Sequence, residues 1–135
     1  MKYWGDFMDV LIRYGFSIEE ITNMMDSNQE IEKIEDKDIY ELIDILINIG
    51  CINSQIKNIF ICNPFCISRN IIEIQKSIDK FKELKLDNLN IIFDSNPYLL
   101  NLDEKEIETI YNNLEKDSAK EEIYNYFYTC SNIII

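Results

Sequence analysis

The chain has 135 residues and not one histidine. That absence removes every mechanism built on imidazole: a histidine general base, a histidine triad member and a histidine metal ligand. Glycine is scarce at 3 and proline scarcer at 2, too few for the turns of a loop-rich β protein. Arginine occurs only as Arg13 and Arg69. Uninterrupted apolar runs end after a few residues, far short of the roughly 20 that span a bilayer. At the N-terminus, Met1-Lys2-Tyr3-Trp4-Gly5-Asp6 places an acid where a signal peptide needs its apolar stretch. No glycine-rich phosphate loop, serine-nucleophile elbow or zinc-protease motif is present. These absences predict a non-enzymatic, cytoplasmic protein without cofactor, metal or membrane segment.

What is present is globular: 47% hydrophobic and 28% charged residues. There are 25 acids against 13 bases, for a formal charge of −12. The excess is uneven: residues 1–50 carry −8, residues 51–102 carry +1, and residues 103–135 carry −5. A chain of this sign repels nucleic acid and anionic membranes and attracts basic proteins. Isoleucine and asparagine, both with AT-rich codons, are abundant, which hints at a low-GC bacterium or one of its phages. In a reducing compartment Cys51, Cys62, Cys66 and Cys130 read as free thiols.

The organisation is repetitive. Residues 55–68 and 88–101 superpose at a spacing of 33, aligning Ile56 with Leu89, Ile59 with Ile92, Phe60 with Phe93, Phe65 with Tyr98 and Ile67 with Leu100. Both segments carry an Asn-Pro pair, Asn63-Pro64 and Asn96-Pro97. A weaker upstream copy lies 35 residues earlier: Gly15 matches Gly50, Ile21 matches Ile56, Met24 matches Ile59 and Asn28 matches Asn63. Each unit reads as a helix pair. Ile39, Leu42, Ile43, Leu46 and Ile49 recur at steps of three and four, which marks one helical face. Gly50 supplies a left-handed stop, with Asn53 or Ser54 starting the next helix. Ser17 to Glu20, Ser118 to Glu121 and Asp103 to Glu106 have capping-box spacing. Each Asn-Pro stops its helix and opens a short tight turn, after which Ser68 and Asp103 start the following helices. The expectation is one all-α domain of about eight helices. It forms a short right-handed α-solenoid of about three repeats (10–49, 50–84, 85–117) with a partial C-terminal cap at 118–135.

Gly-Phe-Ser-x-Glu-Glu-Ile at 15–21 and the repeated Asn-Pro-aromatic-x-hydrophobic segment resemble the repeat of the mitochondrial transcription termination factor (mTERF) family. The resemblance covers roughly residues 10–117. It implies repeats of two helices and a 3₁₀ turn, and proteins that bind double-stranded nucleic acid through basic residues on a concave face. The strongly acidic charge departs from that pattern.

Candidate sites have to be weighed against ordinary structural roles. The best basic feature is Arg69, Lys76, Lys80, Lys82 and Lys85 after the first Asn-Pro, with Lys57 on the preceding helix; of these, Lys57, Arg69, Lys76 and Lys80 are the nucleic-acid candidates. Arg69, Lys76 and Lys80 fall at i, i+7 and i+11 and would share one helix face, where phosphate contacts are available; a solvated face paired with Glu73, Asp79 and Glu83 is the reading favoured for them. Glu19, Glu20, Asp36, Asp38, Glu41, Asp103 and Glu104 are the candidates for a basic protein partner, although most stand at helix starts, where acids favour the dipole. Cys62 and Cys66 have a metal-like spacing, but Cys66 aligns with apolar Leu99, so buried thiols fit better than zinc. Tyr124, Tyr126, Phe127 and Tyr128 with Ile133-Ile134-Ile135 would make a last helix apolar on more than one face, serving a monomer's core or a homodimer contact. Trp4, Phe7 and Met8 read as N-terminal core. On residues alone, the leading reading is an acidic interaction module for a basic protein, such as an inhibitor or nucleic-acid mimic of a phage or mobile element. Nucleic-acid binding is the alternative.

Overall fold

A computed structural model describes residues 5–115. Seven α helices and three 3₁₀ turns occur there, with no strand among the described residues. Helix α1 (Gly5–Arg13) and α2 (Ile18–Ser27) lead into turn η1 (Gln29–Lys33). Helix α3 (Asp36–Asn48), α4 (Asn53–Cys62) and turn η2 (Pro64–Ser68) repeat that order. So do α5 (Ile71–Glu83), α6 (Leu89–Ser95) and turn η3 (Pro97–Asn101), before α7 (Glu104–Glu115).

The sequence sets these boundaries through specific hydrogen bonds. Ser17 Oγ accepts from the Glu20 amide at 3.1 Å while Glu20 Oε1 accepts from the Ser17 amide at 2.8 Å, a complete capping box. Asp103 and Glu106 make the same reciprocal pair at 2.8 and 3.0 Å. Helix α5 starts at Ile71, not at Ser68 as expected. Ser68 closes turn η2 instead, its hydroxyl donating to the Phe65 carbonyl at 3.3 Å, and Asn70 caps α5 by accepting from Ile72 and Glu73. Asn53 starts α4, as expected.

Helices α1, α3 and α5 stop alike. At Gly15, Gly50 and Lys85 the backbone turns left-handed, with φ of 94°, 103° and 64°. The next amide in each case reaches back to Leu11, Leu46 or Phe81, closing a six-to-one helix end. Four or five residues then reverse the chain into the even-numbered helix.

Three layers result. α1, α3, α5 and α7 pack side by side in chain order; α2, α4 and α6 form a second layer; η1, η2 and η3 form a third. One continuous apolar cluster runs between the layers, from Val10 to Tyr111, and includes Ile39, Leu42, Ile43 and Leu46 as the spacing of α3 predicts. Phe16 stacks on Phe60 across a repeat boundary at 6.0 Å, and Phe81 meets Phe93 edge-on at 5.4 Å, contacts worth about 0.5–1.5 kcal/mol each beyond burial. Met8 packs against this cluster.

The Asn-Pro pairs do more than end helices. Asn28, Asn63 and Asn96 are all buried. Asn28 Nδ2 donates to the Pro64 carbonyl (3.2 Å) and the Ser68 hydroxyl (2.8 Å) of the next repeat. Asn63 Nδ2 donates to the Pro97 carbonyl (2.9 Å) and to Asn101 Oδ1 (3.0 Å), and Asn101 Nδ2 returns a bond to Asn63 Oδ1. Asn28 and Asn63 therefore each fasten one repeat to the 3₁₀ turn of the next.

Candidate functional site

The layered order gives the molecule two edges. Because the odd helices run side by side, all their N-termini lie on one edge together with the 3₁₀ turns; this is the turn edge. Their C-termini and the N-termini of the even helices make up the opposite loop edge.

The four predicted nucleic-acid residues do not form one stripe. Arg69 precedes α5 as the cap of η2, so the helical spacing that grouped it with Lys76 and Lys80 does not apply. Its guanidinium turns inward, donating to the Leu100 carbonyl at 2.6 Å and the Ser77 hydroxyl at 3.3 Å, and partial burial holds its pKa below the ordinary value. Ser77 in turn donates to the Leu102 carbonyl, so this trio ties α5 to the η3 segment. Lys80 is only 11% exposed along its side chain and pairs with Glu108 of α7 at 3.1 Å and with Glu83 at 3.6 Å. The bond to Glu108 raises the Lys80 pKa. Lys57 pairs with Glu20 across the even layer at 3.2 Å, and Lys76 pairs with Glu73 at 3.6 Å on an exposed turn. Two exposed bases outside that set, Lys82 and Lys85, stand at the end of α5 on the loop edge and have no ion-pair partner among the described residues.

The acidic candidates are likewise divided. Glu19 and Glu20 occupy the first turn of α2 on the loop edge, and the Ser17 backbone amide, then Lys57, lower the Glu20 pKa. Asp36 and Asp38 occupy the first turn of α3 on the turn edge, with exposed Glu41 one turn further along. Asp103 and Glu104 stand on the same turn edge at α7, separated from α3 by α5. No single cleft collects the seven.

Charge separates the edges. Turn-edge residues 29–38, 64–73 and 97–106 hold nine carboxylates and four cations, a net of −5; loop-edge residues 12–20, 47–55 and 82–90 hold four and three, a net of −1. Phe65 and Tyr98 stand at the same position of successive 3₁₀ turns and project outward, 53% and 44% exposed. Their alignment was legible in the sequence; their exposure was not.

Cys51 and Cys66 are buried, and burial pushes both thiols up to about 12. Cys62 corrects the expectation of uniformly buried thiols: it ends α4 on the exposed side, its thiol donating to Asn58 Oδ1 at 3.4 Å. Among the described residues, no three acidic or sulfur ligands converge to hold a metal ion. An open depression of about 390 Å³ lies along α7, lined by Leu102, Asp103, Lys105, Glu106, Thr109 and Ile110. No helix among the described residues is long and apolar enough to cross a membrane. Trp4, Cys130, the Ser118–Glu121 box, the cap at 118–135 and the aromatic segment at 124–128 lie outside the described residues.

The mTERF family model matches residues 4–135, and the chain belongs to the mTERF family. Comparison with curated proteins and with solved structures gives no match.

Proposed function

We propose that this chain is a non-enzymatic nucleic-acid-binding repeat protein that meets phosphate along its loop edge, through Lys82 and Lys85. Membership of a helical-repeat family whose resemblance implies duplex binding supports the class of ligand. One observation carries the site. The first two repeats place Gly15 and Gly50 at the left-handed stop, whereas the third places Lys85 there, at φ 64°. A left-handed backbone costs a residue with a Cβ about 1–2 kcal/mol that glycine avoids. Strain retained under an exposed, unpaired cation marks a functional position. The near-neutral loop edge also tolerates phosphate far better than the turn edge does.

The test is fluorescence anisotropy on duplex DNA and duplex RNA across a salt series. Two phosphate contacts give a slope of log affinity against log salt of about −2. Lys82→Glu with Lys85→Gly should remove binding. Lys85→Gly alone should weaken it while raising folding stability by about 0.5–1 kcal/mol, the relieved strain less the greater entropy of an unfolded glycine. Unchanged duplex affinity in the double variant refutes the assignment.

A second reading, a basic protein as partner in a cytoplasmic setting, is favoured by the net charge of −12 and by the exposed carboxylates of the turn edge. The two readings use opposite edges and are compatible in one molecule.

A further inference from the structure

We infer that the turn edge docks an extended protein segment rich in arginine and lysine, its cations lying over the rings of Phe65 and Tyr98 and beside the flanking carboxylates. This rests on the second reading above and narrows it to one edge and one mode of contact.

The 3₁₀ turns are built as rigid platforms. In η2, Pro64, Cys66 and Ile67 are buried; in η3, Pro97, Leu99 and Leu100 are buried. Both turns are also fastened from the preceding repeat, through Asn28 to the Pro64 carbonyl and Asn63 to the Pro97 carbonyl. The one large side chain that each turn leaves outside is its aromatic ring. In the first repeat the same position holds Glu30, exposed and paired only with equally exposed Lys33. The three equivalent positions therefore read carboxylate, ring, ring along one layer. A second row runs beside it, because Asp38, Glu73 and Glu106 are each the third residue of an odd helix.

Electrostatics selects the occupant. Helix capping accounts for many of these acids, but it gives no reason to hold two aromatic rings in solvent on pinned turns. Ring faces attract cations, and arginine more than lysine. The surrounding excess of five negative charges strengthens that attraction and repels phosphate, which excludes a nucleic acid stacking its bases on the same rings. An extended chain is the form that meets successive, evenly repeated positions along a layer.

The experiment uses the full chain and a fluorescent peptide of alternating arginine and serine, with a glutamate–serine peptide and a duplex DNA as comparisons. Binding of the arginine peptide, declining with salt and absent for the acidic peptide, is expected. Phe65→Ala with Tyr98→Ala should weaken it roughly five- to thirty-fold, from two exposed cation–ring contacts. Phe65→Tyr with Tyr98→Phe should keep affinity within about twofold, since both rings remain. Glu30→Lys, which leaves the rings untouched, should also weaken the peptide, and Lys82→Glu with Lys85→Gly should not. Peptide binding that survives the alanine pair leaves a basic partner standing but overturns this edge as its site. No binding of the arginine peptide overturns both. If the alanine pair weakens duplex DNA in place of the peptide, the occupant is nucleic acid and the inference fails.

Discussion

Asn63→Ala tests the reading that buried asparagines hold successive repeats together. Asn63 is fully buried, and its carboxamide bonds the Pro97 carbonyl at 2.9 Å and exchanges two bonds with Asn101 at 3.0 Å. Truncation leaves the Pro97 carbonyl without this donor, at a cost of about 1–3 kcal/mol for an unsatisfied buried acceptor. The vacated volume adds about 1 kcal/mol. Asn101 is partly exposed, so its amide recovers bonds to water and contributes little. The total is about 2–4 kcal/mol, which at a urea slope of about 2 kcal/mol per molar lowers the midpoint by roughly 1–2 M. Because the bonds join two repeats, the transition should also broaden as the third unit uncouples from the second. The assay is urea unfolding followed by far-ultraviolet circular dichroism, with Asn101→Ala as the comparison that loses about 1–3 kcal/mol, since it strips the buried Asn63 Oδ1 of its donor but opens no buried volume. A midpoint for Asn63→Ala no lower than that of Asn101→Ala would refute the reasoning.

Two further perturbations probe the local chemistry. In a Cys130→Ser background, a thiol reagent at mildly alkaline pH should modify Cys62 rapidly and leave Cys51 and Cys66 unreactive until unfolding, since burial holds those two at about 12; a fast phase that survives Cys62→Ser contradicts this. Glu20 has a folded pKa below its ordinary value, so its contribution to stability is present above the usual carboxylate range and is lost as pH falls through the lowered value. The stability gap between the wild-type chain and Glu20→Gln should therefore be open at neutral pH and close in acid, and a gap independent of pH would discard the capping-box and Lys57 account.

Much of the architecture was legible because the same local devices recur. The Gly50 stop, the Ser17 and Asp103 boxes and the apolar face of α3 each depend on a few adjacent residues, and each appears in the structure as read. The differing repeat spacings, 35 and then 33, also have a physical origin. α3 and α5 are equal at 13 residues, but α6 has 7 where α4 has 10, and the connection before α6 is one residue longer. Lys85 thus occupies the left-handed slot, a position that counting 35 from Gly50 would have found. The candidate site was far less legible. Arg69 and Lys80 look like free cations in sequence, and only tertiary structure reveals the Leu100 carbonyl and Glu108 that claim them. Asn63 looks like a helix stop, because its partners lie 34 and 38 residues away.

The net charge of −12 was the strongest sequence argument against nucleic acid, and the fold shows why a whole-chain sum misleads. Odd helices that run side by side gather their own N-termini on one edge, where the dipole favours acids in the first turn such as Asp38, Glu73 and Glu106. The same alignment favours cations at the C-termini, where Lys82 and Lys85 stand. Charge polarity between edges is thus a consequence of parallel stacking, and it grows with every repeat that uses an acidic cap. Phosphate at the loop edge lies across the helix layer from most of those carboxylates, and at physiological salt charges separated by more than about 8 Å are largely screened. The balance that bears on phosphate binding is therefore that of the loop edge, −1 with Lys82 and Lys85 already counted, rather than the −12 of the whole.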